Sequence, residues 1–147
     1  MAKQKVKKHE QESIIKSAIS KKKSLQELNT EDFFMFSFRH FDRNQGNNLY
    51  EWEASSILAH SLDVLASFCN NKLTTQTDGK KFTIYGDFPP KEKTDYRFPS
   101  YIPEDAQWAR IHITGLQCVI GHVVNNVFYS VFLDGEHKFW KSELKNT

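Results

Sequence analysis

The sequence predicts an α+β fold: an antiparallel sheet with a C-terminal three-stranded meander packed on two helices. Three observations carry that prediction. Residues 108–140 run as short apolar-rich segments interrupted by Gly115-Leu116 and Asn125-Asn126, pairs that suit two-residue hairpin turns because Gly and Asn tolerate positive φ. Two upstream stretches, 10–28 and 48–71, repeat their apolar residues at helical spacing instead. Between them Phe33 to Phe41 (FFMFSFRHF) places Phe34, Phe36 and Phe38 on one face by period two, which predicts a strand.

Each element follows from local chemistry. Residues 1–9 are too polar to order themselves and are expected to form a flexible basic tail, leaving 10–147 as a single α+β domain. In the first helix Ile14, Ala18, Leu25 and Leu28, flanked by Ile15 and Ile19, make one apolar stripe, opposite a solvated face with Lys16, Lys21 and Lys23. The run Asp42 to Asn48 (DRNQGNN) is turn chemistry, and Asn48 followed by Glu51 has the spacing of a capping box that opens the second helix. Leu58, Leu62, Leu65 and Cys69, with Trp52 further up, are its expected buried stripe, and it should end near Asn70 and Asn71. From Lys72 to Asp105 glycines and prolines break every period, and just Lys81 to Tyr85 is strand-like. The aromatics of this stretch, from Phe82 to Tyr101, predict a loop that packs down on the domain.

With two-residue turns the register of the meander is fixed. Thr114 then faces Gln117, His112 faces Val119, Arg110 faces Gly121, Val124 faces Val127, His122 faces Tyr129 and Cys118 faces Leu133. One face gathers Ile111, Ile113, Cys118, Ile120, Val124, Val127, Val131 and Leu133 and should lie against the helices. The other mixes Arg110, His112, Thr114, Gln117 and Ser130 with Val119, Val123, Phe128 and Phe132, as a functional face does.

Composition narrows the function classes. Eight lysines against two glutamates put +6 on residues 1–23 and therefore −4 on the rest of a chain whose formal charge is +2. A mildly acidic body offers no broad phosphate-binding surface, so a nucleic-acid contact must use the leader or a local cluster. The two cysteines, Cys69 and Cys118, have no paired spacing, which argues against a disulfide framework and a thiolate metal site and for a reducing, cytoplasmic location. No apolar run is long enough to span a membrane. The six histidines contain no HxH or HExxH, and Asp134 with His137 make a two-ligand fragment, so neither a metal nor another cofactor is expected.

One strand, helical cover and then WARIHITGLQCVIGHVVNNVFYSVFLDGEHKFW, ending in a basic and aromatic segment, resembles the RelE/ParE superfamily of small bacterial toxins over residues 33–140. The resemblance implies binding to RNA or the ribosome, metal-independent endoribonuclease chemistry, and a cognate antitoxin-like partner. It places Arg110 on the sheet, and His137, Lys138 and Trp140 after the last strand, in positions comparable with the family's RNA-contacting side chains. Lys141 and Arg39 extend that cationic set, while Asp42 reads as a turn-former or ion-pair partner. The chain departs from the family where an arginine is common at the turn between the first two meander strands; Gly115, Leu116, Gln117 and Cys118 stand there.

Attack by a ribose 2′-hydroxyl needs a base, an acid and cations for the charge on phosphate. Histidine suits the first two tasks, so His112 and His137 are the candidate catalytic pair, with Arg110 and Lys138 as phosphate partners and Trp140 as a stacking platform. His122 reads as a satisfied core histidine. Two other classes fit the same chain: a non-catalytic module docking on nucleic acid or protein through its lysine-rich N-terminus, and a small-molecule sensor lidded by the aromatic loop.

Overall fold

The computed structural model describes residues 7–18 and 33–142, in a chain that divides into two units, 1–32 and 33–147. In the first unit residues 7–18 form a helix, α1, three residues ahead of its expected start. Ile19, Lys21 to Lys23, Leu25 and Leu28, and residues 1–6 of the expected tail, lie outside the described residues.

The second unit is built on a five-stranded sheet comprising β1 (Met35–Ser37), β2 (Phe82–Gly86), β3 (Gln107–His112), β4 (Cys118–Val124) and β5 (Val127–Asp134). Their spatial order is β1-β5-β4-β3-β2. The α+β class stands, but the sheet is mixed rather than antiparallel throughout, because β1 pairs with β5 in parallel. A tight turn forces antiparallel neighbours, whereas the long excursion from β1 to β5 lets the chain return in the same direction.

The second helix is two helices, α2 (Leu49–Ala54) and α3 (Leu58–Phe68). The capping box is complete, since the Asn48 side chain accepts from the Glu51 amide and the Glu51 carboxylate accepts from the Asn48 amide. α2 ends because Ser56 adopts a left-handed φ of 59°, and the Ser56 and Ile57 amides donate to the Glu53 and Trp52 carbonyls, a Schellman closure. That break rotates α3 relative to the stripe expected of one continuous helix. Ser61, Val64, Leu65 and Phe68 are the buried residues of α3, and Leu62, expected in the stripe, is 49% exposed.

The first hairpin departs from the expected register by one residue. The Ile113 and Thr114 amides both donate to the Gln117 carbonyl, while Thr114 Oγ1 accepts from the Leu116 and Gln117 amides, so the turn between the closing residues Ile113 and Gln117 holds three residues, 114–116, rather than two. Arg110 therefore faces Ile120 and His112 faces Cys118. The second hairpin has its expected pairs, Val124 with Val127 and His122 with Tyr129. Beyond Ser130 a bulge adds Val131, and Cys118 meets Asp134 instead of Leu133.

Because the period of a strand is two, a slip of one exchanges faces. Cys118, Ile120 and Val131 leave the helix-covered face for the opposite one, while Val119 and Phe128 join Ile111, Ile113 and Leu133 beside the helices. There Phe34 stands 5.6 to 6.0 Å from the rings of Phe68, Phe82 and Phe128. The second face is not open. As its aromatic content predicts, the 87–106 segment packs down, and with residues 139–140 it covers this face: Phe88, Phe98, Phe132 and Phe139 surround Trp108 at 5.0 to 5.8 Å.

Candidate functional site

At one end of the loop-covered face the sheet lines up three polar side chains on adjacent strands. His112 of β3 is the cross-strand partner of Cys118 of β4, which is in turn the partner of Asp134 of β5. The longer first turn and the Val131 bulge together bring these three into one row. Neither spacing nor periodicity announces them as a group.

Asp134, 2% exposed, anchors residues 135–139 beyond the end of β5. Its carboxylate accepts from the amides of Lys138 and Phe139 and from the Tyr96 hydroxyl, at 2.9 to 3.2 Å. Amides and a hydroxyl supply the donors that a buried carboxylate requires. The clamp closes a turn in which His137 takes a left-handed φ of 58°. Its imidazole is thereby laid over the sheet, with ring centroids 5.5 Å from His112 and planes tilted by 23°. The two histidines expected to act together are thus brought together, both half-buried.

Arg110 shares the face. Its guanidinium donates to Thr83 Oγ1 at 3.3 Å and lies 5.3 Å from the centre of the Tyr85 ring. Burial, then the charges of Arg110 and His137, lower the pKa of His112, against a smaller opposing effect of the Thr114 backbone. Cys118 is fully buried, and its Sγ lies 3.2 Å from His112 Nδ1. Burial pushes its thiol up to about 12, although Arg110 pulls the other way. Tyr85, also raised to about 12 mainly by burial, has no hydrogen-bond partner for its hydroxyl among the described residues.

The remaining expected residues divide. Trp140 stacks on Tyr85 at 5.1 Å, at the border of the same group. Lys138 and Lys141 are exposed and both bind Asp95, at 3.9 and 2.7 Å, Lys138 also reaching Glu136 at 3.1 Å. Lys138, Asp95, Glu136 and Arg97 rim a polar groove of about 560 Å³ lined further by Asn44, Gln45 and Asp134. Arg39 belongs elsewhere, in a cleft with Phe41, Asp42, Arg43 and Tyr101. Asp42 serves its turn, accepting from the Asn44 amide and the Gln45 side chain.

A second pair of histidines lies in that direction. His122 is 2% exposed, and its Nε2 is 2.9 Å from His40 Nδ1, while both rings lie 4.6 to 4.9 Å from Tyr129. One nitrogen must donate and the other accept, so the pair cannot be doubly protonated without losing this bond. Burial, followed by the charge of His40, lowers the pKa of His122 to about 4. The expected core histidine is indeed buried, but its Nδ1 has no partner among the described residues.

Sequence reasoning missed Cys118, Thr83 and Tyr85 as members of the site, and it had Asp134 as a fragment of a ligand set. A signal for Asp134 existed, because a carboxylate at a strand end followed by Gly135 marks a turn whose amides need an acceptor. No family model, curated protein or solved structure matches the chain.

Proposed function

We propose that the protein binds RNA and cleaves it by 2′-hydroxyl attack, as a toxin-like endoribonuclease, with His112 and His137 as the acid–base pair. The observation that carries this reading is the approach of the two imidazoles to 5.5 Å beside the guanidinium-bearing strand β3. His112, whose lowered pKa leaves it neutral near pH 7, takes the 2′-hydroxyl proton. His137 delivers a proton to the departing 5′-oxygen, leaving a cyclic phosphate. Arg110 has N–H groups beyond the one held by Thr83 and faces the charge that grows on the phosphate. Trp140 offers an indole for base stacking, and Lys138 and Lys141, engaged by a solvent-exposed carboxylate, exchange that partner for phosphate at little cost. The RelE-like ancestry, the ribosome as target and an antitoxin-like partner belong to the same proposal.

Cleavage of a labelled RNA by purified protein tests it. His112→Ala and His137→Ala should each lower the rate by roughly 100-fold or more, as loss of a general acid or base does. Undiminished cleavage by the double variant would remove both residues from the chemistry. A docking module is the second reading, favoured by Lys7, Lys8 and Lys16 on α1. Deleting residues 1–23 separates the two: a module loses RNA retention and its salt dependence, whereas a nuclease keeps its cleavage chemistry.

A further inference from the structure

We infer that His112, Cys118 and His137 form a binding site for one zinc-like divalent cation, with two imidazoles and a thiolate as ligands and water in the fourth position. The potential donor atoms of the three side chains all lie within 4.8 Å of one another. Cys118 Sγ and His112 Nδ1 are already 3.2 Å apart. In a tetrahedral zinc centre with ordinary Zn–S and Zn–N bonds, neighbouring donors stand roughly 3.3–3.6 Å apart. The first pair therefore needs almost no movement, and His137 needs to close by about 1 Å. It is the side chain best placed to do so, being half-buried in a turn, with no hydrogen bond to its ring nitrogens among the described residues.

The surroundings fit the same occupant. His112 and Cys118 are cross-strand partners on a rigid sheet, so two ligands are preorganised before the metal arrives. The third is presented by a left-handed residue whose turn is locked by the Asp134 clamp. That conformation is uncommon for a residue other than glycine and places the imidazole over the other two donors. Cys118 lies at the floor and the two half-buried histidines at the rim, which leaves the outer position for water. Arg110 brings an opposing charge, and the thiolate formed on binding, together with Asp134 in the same row, offsets it. A set of two imidazoles and one thiolate selects borderline and soft ions such as Zn²⁺ over Mg²⁺ and Ca²⁺, which want oxygen. Bound metal would hold both imidazoles, so it and acid–base cleavage are mutually exclusive uses of one site.

Titration of the chelator-washed, full-length protein with Zn²⁺ against a chromophoric chelator tests this without reference to RNA. The wild-type chain should take up one equivalent that Mg²⁺ does not displace. Cys118→Ser and His137→Ala should each weaken binding by more than the roughly 10–100-fold that an outer-shell change costs. His137→Ala alters a half-buried turn residue and so keeps the test valid should the core variant not fold. Co²⁺ substitution should give a thiolate-to-metal charge-transfer band in the wild type that vanishes in Cys118→Ser. Absence of Zn²⁺ uptake, or uptake with unchanged affinity in both variants, would overturn the site. Either result leaves the nuclease reading to stand or fall on RNA cleavage alone.

Discussion

Both faces of the sheet are buried, yet they are buried by different means. On one side two helices present Trp52, Val64, Leu65 and Phe68 to Ile111, Val119, Phe128 and Leu133, and the polar atoms are largely kept out. On the other an irregular segment covers Trp108, Ile120 and Phe132, and beneath or beside it lie Arg110, His112, Cys118, His122 and Asp134. Tyr85, Trp108, Arg110 and His122 each leave one buried polar atom without a partner among the described residues. Ser130, in phase with Phe128 on the helix side, leaves its Oγ without a partner as well, but an unsatisfied buried group costs on the order of 1–3 kcal/mol and the loop side holds most of them, so it carries the larger burden. The helix side stabilises the fold, and the loop side spends some of that stability holding polar groups in place.

Three experiments would break or sharpen that contrast. Phe128→Ala, in the ring cluster on the helix side, should have the largest effect, a loss of about 3–5 kcal/mol in denaturant unfolding, because neighbouring strands prevent the void from collapsing. Asp134→Ala should come next, at about 3 kcal/mol, since it orphans two amides and a hydroxyl. Its particular mark should be fast hydrogen exchange at the Lys138 and Phe139 amides while the α3 amides stay protected; uniform exchange would mean that the two faces are one cooperative unit.

The third concerns acid. The folded-state pKa of His122 lies below its unfolded value, so as pH falls the unfolded chain takes up its proton first. The stabilisation is whole above about pH 6.5 and is lost progressively down to about pH 4, where the loss reaches about 3 kcal/mol. Asp78 and Asp95, whose pKa values are lowered by hydrogen bonds to the Phe82 amide and to Lys141 respectively, titrate below this window. Unfolding free energies of wild type and His122→Gln measured across that range should therefore diverge toward neutral pH and converge in acid. Parallel curves would show that His122 is not titrating as a buried group.

The same contrast explains what could be read from the chain. The Asn48 cap, the β1 segment, the second hairpin and the packing-down of the aromatic loop were legible, because each depends on a residue type whose local preference agrees with its tertiary setting. The first hairpin was not. Gly115-Leu116 satisfies the rule for a two-residue turn, but the Thr114 hydroxyl captures two amides and draws Thr114 itself into a three-residue turn closed by Ile113 and Gln117. His112 and His137 were paired for the acid–base needs of RNA cleavage, and the clamp by Asp134 that brings their rings together had no part in that reasoning. Cys118 was placed on the wrong side by the slip, so a three-donor cluster separated in sequence by a turn and two strands had no linear signature. The parallel partnership of β1 with β5 was likewise invisible, since no local residue encodes it.

The extra residue in β5 reaches further than its size. Before Val131 the strand keeps one phase, with Phe128 toward the helices; after it the phase is inverted, with Leu133 toward the helices and Asp134 away from them. Whether the carboxylate meets its donors is thus decided by the bulge that takes one residue out of the alternation. Removing Val131 would restore plain alternation and leave Asp134 opposite Cys118, whereas a ladder that kept Val131 but formed no bulge would turn the carboxylate into the hydrocarbon interior and strip the 135–139 turn of its anchor.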